Sequence, residues 1–184
     1  MGGIDLDPFS TPLNNQLVVA ARIFDCETMH FDDICSRPWA PPGQGRLFLG
    51  TPTSALEARR LMLKTLREYR LGHIKEAVIW SAFHENMPRH PWIWDFPVCI
   101  PFRRLRPCWF DTELNRWQPV NASMWSFVLY LPPVEPREAQ LERMSRFHVC
   151  FSPIGRIVYN EYSGEDDWLI SYRISTKRTY DFRK

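Results

Sequence analysis

Apolar residues recur along this chain in short groups that predict alternating strands and helices. Arg46–Leu49 is a brief apolar run that Gly50 ends, and a polar loop with one proline follows it. In Ala55–Leu71 the leucines recur at helical spacing, which predicts an amphipathic helix. Glu76–Phe83 is again apolar and predicts a further strand. In an α/β sheet, the loops that follow the carboxyl ends of strands are where ligands bind.

A proline-rich segment, Ser36–Gln44, precedes the first predicted strand. Proline lacks the amide N–H that helix interiors and central strands need. We therefore expect this segment to run over the surface, beside the loop that follows Gly50.

Basic residues concentrate in two places, although the chain as a whole is not strongly basic. One is a face of the predicted helix, and the other is the short turn Phe102–Arg106, which holds three arginines. The formal net charge is only +2, so the composition does not demand a polyanionic partner. A solvated helix face that covers the sheet and a nucleic-acid surface are both open interpretations. The basic residues of the helix are Arg59, Arg60, Lys64, Arg67 and Arg70.

The composition fits one packed domain. The chain has 184 residues, of which 45% are hydrophobic and 14% aromatic. That is enough to build a core, and too apolar for a disordered chain. There is no apolar run of about eighteen residues and no basic stretch leading into an apolar one at the start. We therefore predict neither a membrane span nor a secretory signal.

The cysteines and histidines are scattered along the chain. The five cysteines are odd in number and form no Cys-x-x-Cys pair, which predicts reduced thiols in an intracellular, reducing compartment. His84 and His90 flank Glu85, but Pro88 and Pro91 interrupt the segment. The helix of a zinc protease cannot form there, so we predict no metal site.

Six of the eight tryptophans divide into two groups. Two lie in apolar runs and are expected in the core, while four lie in or near proline-bounded segments and are candidates for exposed rings. Exposed Trp and Arg are enriched at protein interfaces, although a large sheet core would also take several tryptophans. The core candidates are Trp80 and Trp125, and the interface candidates are Trp92, Trp94, Trp109 and Trp117.

Two segments carry a resemblance to a known family. Residues 2–24 read GGIDLDPFSTPLNNQLVVAARIF, and Gly45–Ser54 reads GRLFLGTPTS. Together they resemble the phage-type DNA N6-adenine methyltransferases, which carry an LDP- or LDA-type motif, an AN..V.A..F-like stretch and a strand that ends in NPPYS. The NPPYS position is here Gly50-Thr51-Pro52-Thr53-Ser54.

The departures from NPPYS fall on the residues that the family's chemistry needs. In the family, the Asn side chain and a proline carbonyl accept hydrogen bonds from the exocyclic amine of a flipped adenine, and the aromatic ring stacks on that base. Gly50 has no accepting side chain, Thr51 replaces the first proline, and Thr53 replaces the ring. The resemblance thus marks Gly50, Thr51, Pro52 and Thr53 as a degenerate catalytic position, and we predict that methyl transfer is lost.

The resemblance also implies where S-adenosylmethionine would bind. Asp7 stands at the family's acidic position, and Asp5, Pro8 and Asn15 also fit the pattern. Family members carry a W.TP-type segment upstream that helps wall the cofactor pocket, and this sequence lacks it, so we expect no cofactor to be bound. The alternative is a local role for the two aspartates, in a turn and as an N-cap before the Leu13–Phe24 segment.

Less specific elements extend the resemblance to residues 3–158. The amphipathic helix and the apolar strand that follow NPPYS in the family correspond to Ala55–Leu71 and Glu76–Phe83. A Trp-containing segment, a strand, a turn, a late strand and a terminal strand-turn-strand come next. They correspond to His90–Phe96, Val98–Pro101, Phe102–Pro107, Ala122–Leu131 and Phe147–Val158.

Beyond this methyltransferase-like domain, residues 1–158, the chain continues with Tyr159–Lys184. Ile154–Tyr162 and Trp168–Ile174 are typical of two strands, and the polar stretch between them is typical of a turn. The final residues, Ser175–Lys184, are basic. We predict a C-terminal hairpin with a basic tail that serves for docking.

These patterns together predict an α/β fold, a Rossmann-like methyltransferase mixed sheet flanked by helices with a C-terminal β-hairpin extension. The expected function is that of a catalytically degenerate DNA N6-adenine methyltransferase-like protein, kept as a binding or structural subunit for a protein assembly or nucleic acid. One alternative is an active S-adenosylmethionine-dependent DNA adenine methyltransferase with an atypical loop. The other is a remnant of a phage or mobile element with no retained binding function.

Overall fold

The computed structural model describes residues 3–39, 45–106, 108–119 and 125–159. Strands and helices alternate through these ranges. The strands are β1 (Asp7–Ser10), β2 (Ile23–Asp25), β3 (Arg46–Gly50), β4 (Glu76–Ser81), β5 (Val98–Pro101), β6 (Cys108–Asp111), β7 (Arg116–Pro119), β8 (Phe127–Leu131) and β9 (Gly155–Val158). The helices are α1 (Asn15–Val18), α2 (Phe31–Ser36), α3 (Ala55–Arg70), α4 (Asn86–Arg89), α5 (Arg137–Phe151) and the 3-10 helix Pro91–Asp95.

A five-stranded mixed sheet forms the centre of the fold, in the order β3-β4-β8-β5-β9. β3 and β4 are parallel, with Gly50 opposite Trp80. β8 is antiparallel to both β4 and β5, and β9 is antiparallel to β5. The predicted α/β class, a mixed sheet flanked by helices, is therefore confirmed.

β1 and β2 extend this sheet beyond β3. β1 pairs with β2 in parallel, with Asp7 opposite Ile23. Leu6, directly before β1, bridges Leu47 of β3 in the same direction, and the Phe48 N–H donates to the Leu6 carbonyl at 3.1 Å. β2, β1, β3 and β4 thus run side by side in one direction, and their carboxyl ends meet at one edge.

Helix α3 covers one face of the sheet, as its sequence predicts. The Ser54 hydroxyl accepts from the Glu57 N–H at 3.4 Å and caps the first turn. The apolar stripe of the helix, which includes Leu61, Met62 and Leu66, is buried in the core. Basic residues in the last turn suit the negative end of the helix dipole.

Helix α5 covers the other face, over β8 and β5. The Phe147 ring stacks on Tyr130 of β8, with ring centroids 5.0 Å apart and planes at 9°. Cys99 and Val128 complete this second cluster. The sheet therefore lies between two helical layers.

The predicted strand-turn-strand over Phe147–Val158 is wrong in its first half. Phe147 lies in α5, and only β9 is a strand. Strong helix formers run through α5, and Glu142 and Arg146 pair at 2.6 Å one turn apart. These local preferences carry the helix through Phe147 as far as Phe151.

The local roles predicted for Asp5 and Asp7 are only partly right. The Leu13–Phe24 segment is not one helix, because Val19 takes a φ of 55° and ends α1 after a single turn. The residue at the N-cap position of α1 is Asn14. Asp7 does make a turn contact, since its Oδ1 accepts from the Phe9 N–H at 3.2 Å.

Trp39 anchors the proline-rich segment, which we predicted to run over the surface. The Trp39 side chain is fully buried, and its indole N–H donates to the Ile34 carbonyl at 2.8 Å. The large apolar ring thus gains more from the core than from solvent. Residues 40–44 lie outside the described residues.

The tryptophan predictions hold for some rings and fail for others. Trp125 precedes β8 and is 39% exposed, so its predicted place in the core is wrong. Trp94 is exposed as expected, whereas Trp92 is buried. Trp80 and Trp117 are half-buried.

The late strand is shorter than the predicted Ala122–Leu131, because β8 begins at Phe127. Residues 120–124 lie outside the described residues. The predicted C-terminal hairpin and basic tail likewise fall outside them from residue 160 onward. The first strand of that hairpin corresponds in part to β9.

Gly155 allows β9 to approach β5 closely, and replacing it by alanine should destabilise the fold. A Cβ at this position would lie 2.5 Å from Cys99 Sγ and 2.5 Å from the Ile100 carbonyl oxygen. We expect Gly155→Ala to lower the free energy of unfolding by about 1–3 kcal/mol through overpacking, measured by urea denaturation. Gly50→Ala is the control, because its Cβ would meet only a Phe48 ring carbon at 3.7 Å. Equal stabilities of the two variants would contradict this account.

Candidate functional site

The strand order reverses next to β1, and this reversal marks a candidate ligand-binding edge. β2 lies on one side of β1 and β3 on the other. In open α/β sheets, ligands bind in the crevice outside the carboxyl ends of the strands at such a reversal. Asp7 and Pro8 begin β1, whereas Gly50 ends β3 and Thr51–Thr53 follows it. The fold thus brings the two motifs of the sequence to neighbouring parallel strands, with the Gly50–Thr53 segment at the carboxyl edge.

Thr51 continues the ladder between β3 and β4. Its N–H donates to the Trp80 carbonyl at 3.0 Å, and its buried hydroxyl lies 3.4 Å from the Ser81 hydroxyl. A proline at this position would have no N–H for the Trp80 carbonyl. Thr51 therefore has a structural role that the proline of the family pattern cannot fill.

The other loop positions differ in accessibility. Pro52 is buried, whereas Thr53 is exposed and Gly50 half-buried. A side chain at Gly50 would meet only Phe48, at an ordinary contact distance of 3.7 Å. The site therefore has room for a larger side chain at position 50. Position 50 lacks a hydrogen-bond acceptor because its residue is glycine, and not because a side chain would clash there.

Asp7 is a buried carboxyl group at the start of β1. Only 3% of its surface is exposed, and burial raises its pKa to about 7, although hydrogen bonds from Phe9 and Ser10 act in the opposite direction. Near neutral pH this side chain is present in both the charged and the neutral form. It can therefore donate as well as accept a hydrogen bond.

Asp5 and Asn15, also predicted at the cofactor site, make internal contacts. Asp5 binds the Arg46 guanidinium through both oxygens, at 2.9 and 3.0 Å, and these hydrogen bonds lower the pKa of its carboxyl. The Asn15 side chain donates to the Ala20 carbonyl at 3.0 Å and accepts from the Ala20 N–H at 2.8 Å. Asp5 thus ties the segment before β1 to β3, and Asn15 closes the turn after α1.

Several buried polar side chains near this edge were missed by the sequence analysis. Asn86 Nδ2, His90 Nε2, Trp92 Nε1 and Ser126 Oγ are buried and have no hydrogen-bond partner among the described residues. The first three follow β4, and Ser126 precedes β8, whose first residue lies opposite the last residue of β4. The sequence does contain a signal for these buried polar groups, namely polar residues within a stretch rich in aromatic residues. The sequence analysis treats this stretch as a possible metal site and as a source of exposed tryptophan rings, and not as a cluster of buried polar groups.

His90 is held in its neutral form. Burial and the nearby charges of Arg59 and Arg89 all lower its pKa. A neutral imidazole can accept or donate through Nε2. His90 therefore contributes a polar atom at this edge without adding a positive charge.

An arginine–aromatic surface, Phe102, Arg103, Arg104 and Trp125, lies at the same end of the sheet. Phe102 directly follows β5, and its N–H donates to the Ile154 carbonyl at 3.0 Å. Its ring is 68% exposed. The Arg104 guanidinium lies 5.9 Å from the centroid of the exposed Trp125 ring, within the range of a cation–π contact. Cationic groups and flat rings are therefore presented together to solvent.

Three further properties concern only the described part of the chain. No three His, Cys, Asp or Glu side chains come together there in a group that could hold a metal ion. No helix there combines the length and the apolarity needed to cross a membrane. All five cysteines are free thiols.

Comparison of the chain with protein-family models gives no match, and comparisons with curated proteins and with solved structures give none either.

Proposed function

We propose that this chain is a catalytically degenerate relative of the DNA N6-adenine methyltransferases, and that it binds nucleic acid without transferring methyl groups. The observation that carries the proposal is the loop Gly50–Thr53. It occupies the ligand-binding edge of the sheet and lacks the acceptor and the ring that the reaction needs. The arginine–aromatic surface at the same end supplies groups for binding.

The strand arrangement supports a Rossmann-like methyltransferase fold. Four parallel strands, with a reversal next to β1, form one part of the sheet, and β8 and β9 add antiparallel strands to the other. Such a sheet binds ligands at the reversal. The resemblance puts the NPPYS-type motif at the carboxyl end of β3, beside that reversal, and the LDP-type motif on the neighbouring strand β1.

The loop geometry supports a loss of catalysis. Gly50 offers no acceptor for an adenine amine, and the Thr51 hydroxyl is buried against Ser81. Thr53 is exposed but carries no ring, so a flipped base would lose a stacking contact worth about 1–3 kcal/mol. A flipped adenine would be neither oriented nor held at this loop.

The predicted cofactor residues fit S-adenosylmethionine poorly. Asp7 and Pro8 are buried, Asp5 is paired with Arg46, and the Asn15 amide is bonded to Ala20. The hydroxyl and amine groups of the cofactor require accessible acceptors, and these contacts would have to break to supply them. We therefore propose that the chain uses no cofactor.

The arginine–aromatic surface suits a single-stranded segment or exposed bases. Bases stack on aromatic rings whatever their sequence, and arginines neutralise phosphates. Exposed Trp and Arg also occur at protein interfaces, so a protein assembly is the competing partner. Binding to oligonucleotides distinguishes the two.

Methyl transfer by the unmodified protein is expected to be absent. Incubation with labelled S-adenosylmethionine and adenine-rich DNA should transfer no label, because the acceptor and the ring are missing. Millimolar S-adenosylmethionine should leave the melting temperature unchanged. A bound ligand at a hundredfold excess over its Kd would stabilise the fold by about 2.7 kcal/mol. A saturable rise in melting temperature, or transfer that Pro52→Ala abolishes, would contradict the proposal.

Oligonucleotide binding is expected to depend on Trp125. Fluorescence anisotropy with a short single-stranded oligonucleotide at low salt should show that Trp125→Ala weakens binding by about 1–3 kcal/mol. Arg103→Ala should weaken binding and reduce the slope of log affinity against log salt concentration by about one.

The controls for the binding experiment are Trp94→Ala and Arg137→Ala. Both residues are exposed. Trp94 lies before β5, whereas Phe102 of the arginine–aromatic surface lies after it. Arg137 begins α5, so neither control residue belongs to the arginine–aromatic surface. These variants should bind as the unmodified protein does. Absence of binding at low salt, or an equal loss in the control variants, would favour a protein partner instead.

A further inference from the structure

β6 and β7 form a hairpin that pairs with no other strand of the described ranges. The two strands are antiparallel, with Asp111 opposite Arg116, and they make a two-stranded sheet of their own. The Phe110 and Trp117 rings pack edge to face across the strands, with centroids 5.4 Å apart. None of the hairpin side chains that the structure describes is buried. The hairpin therefore adds little to the core, and a pair of strands alone is only marginally stable in water, so its exposed surface suits a partner.

Hydrogen bonds fix the turn at the tip of the hairpin. Asp111 Oδ1 accepts from the Glu113 and Leu114 N–H groups, both at 3.0 Å, and Asp111 Oδ2 accepts from the Gln118 side-chain amide at 3.0 Å. Asn115 takes a φ of 47°, a left-handed conformation that asparagine adopts more readily than most residues. Leu114 is 54% exposed. An apolar side chain is thus presented to solvent at the end of a well-defined turn.

Both ends of the hairpin lead into the arginine–aromatic surface. Residue 107 joins β6 to the arginine-rich turn after β5, and residues 120–124 join β7 to Trp125. Exposed arginines outnumber acidic residues in this part of the chain, and one of the two carboxylates is already used within the turn. This balance suits a polyanion. The arginines are Arg103, Arg104, Arg106 and Arg116, and the acidic residues are Asp111 and Glu113.

We propose that the β6–β7 hairpin is a wedge that enters a nucleic-acid duplex, an inference that rests on the proposed function. Leu114 inserts between two neighbouring base pairs and kinks the duplex, while the arginines bind phosphates on either side of the kink. A leucine gains nothing from contact with phosphates, whereas the faces of stacked bases are apolar. The apolar tip and the basic flanks therefore fit a duplex better than they fit a single strand, whose bases need no separation.

A mismatched duplex tests the wedge, because a mismatch lowers the cost of unstacking. The probes are two short duplexes with 2-aminopurine at the same position, one fully paired and one with a single mismatch beside the 2-aminopurine. The unmodified protein should bind the mismatched duplex about tenfold more tightly than the paired one. The fluorescence of 2-aminopurine should rise on binding, since unstacking relieves its quenching. Equal affinities for the two duplexes, or binding without a rise in fluorescence, would overturn the proposal.

Substitutions at Leu114 separate the wedge from general binding. Leu114→Ser should abolish both the preference for the mismatch and the rise in fluorescence, and it should leave the affinity for a single-stranded oligonucleotide unchanged. Leu114→Met keeps an apolar tip and should keep both effects. Val134→Ser is the matched control, because Val134 is also exposed but lies between β8 and α5. Equal melting temperatures of the variants check their folding.

The outcomes distinguish this inference from the proposed function. Binding to a single strand that depends on Trp125, together with a preference for the mismatch that survives Leu114→Ser, would overturn the wedge alone. A loss of single-strand affinity in Leu114→Ser equal to its loss of duplex affinity would also overturn it, because Leu114 would then contact bases without separating pairs. Absence of binding to all of these oligonucleotides would overturn both proposals and would assign the hairpin to a protein partner.

Discussion

Replacing Glu68 by alanine is expected to destabilise the protein by about 3–5 kcal/mol, the usual cost of breaking a buried ion pair from one side. Glu68 is only 3% exposed. Its Oε1 lies 2.5 Å from Lys64 Nζ, and its Oε2 lies 2.7 Å from His73 Nδ1. The Trp39 N–H also donates to Oε2, at 3.5 Å. Loss of the carboxylate leaves the nearly buried Lys64 ammonium without its partner, and equilibrium unfolding in urea measures the effect.

The stabilising contribution of the Glu68 carboxylate should also depend on pH. Burial of Glu68 opposes its ionisation, but hydrogen bonds from Lys64 and His73 outweigh burial and lower the pKa of the carboxyl. A carboxyl with a lowered pKa stabilises the fold above its unfolded-state pKa, near 4.5, and loses that contribution as the pH falls through the native value. The difference in stability between the unmodified protein and Glu68→Ala should therefore shrink in acid.

Glu142→Ala is the matched control for Glu68→Ala. Glu142 pairs with Arg146 at 2.6 Å, also one helical turn away, but both side chains are more than 60% exposed. Solvent screens this pair, so its removal should cost less than about 1 kcal/mol. Equal losses in the two variants would show that burial does not set the strength of the Glu68 network.

The elements predicted most accurately are those whose signals are local. The bounds of α3, β3 and β4 agree with prediction to within a few residues, because periodicity and flanking turn residues define them. The bounds of β5 agree with those that the family resemblance implied. α5 gave a weaker signal. Leu141 and Val149 point to solvent, so its apolar residues do not form a single stripe. The Phe147–Phe151 end then had the composition of a strand.

The candidate site could be predicted in position but not in chemistry. The NPPYS-type motif identifies the carboxyl end of β3, because ligand-binding loops follow strands, and the LDP-type motif identifies the neighbouring strand β1, which begins at Asp7. The burial of Asp7 depends on how β2 and β3 pack on either side of β1, and no local pattern contains that information. The Thr51 N–H bond to Trp80 is similarly a product of pairing between strands that are separated by a whole helix.

Replacing Asp7 by asparagine is expected to stabilise the protein at pH 8, by an amount on the order of 4 kcal/mol. Burial raises the native pKa of Asp7 from 3.8 to about 7, and each pKa unit corresponds to about 1.4 kcal/mol. Between pH 4 and 7 the native state then binds more protons than the unfolded state, so stability falls as the pH rises through this window. Below pH 4 Asp7 costs nothing, and above pH 7 the full cost is present. Asparagine cannot ionise and can still accept from the Phe9 N–H.

Asp5→Asn supplies a control of opposite sign in the same segment. The Arg46 side chain lowers the pKa of Asp5, so its carboxylate stabilises the fold above the unfolded pKa, and that contribution disappears in acid. Asp5→Asn should therefore lower the melting temperature at pH 8 and have little effect at low pH. Asp7→Asn should raise the melting temperature at pH 8, and it should flatten the decline of the melting temperature between pH 4 and 7. A loss of stability at pH 8 in Asp7→Asn would mean that the native state holds Asp7 charged and well partnered. In that case β1 would carry a fixed negative charge beside β3, and the active-enzyme alternative would regain an acceptor for a cofactor.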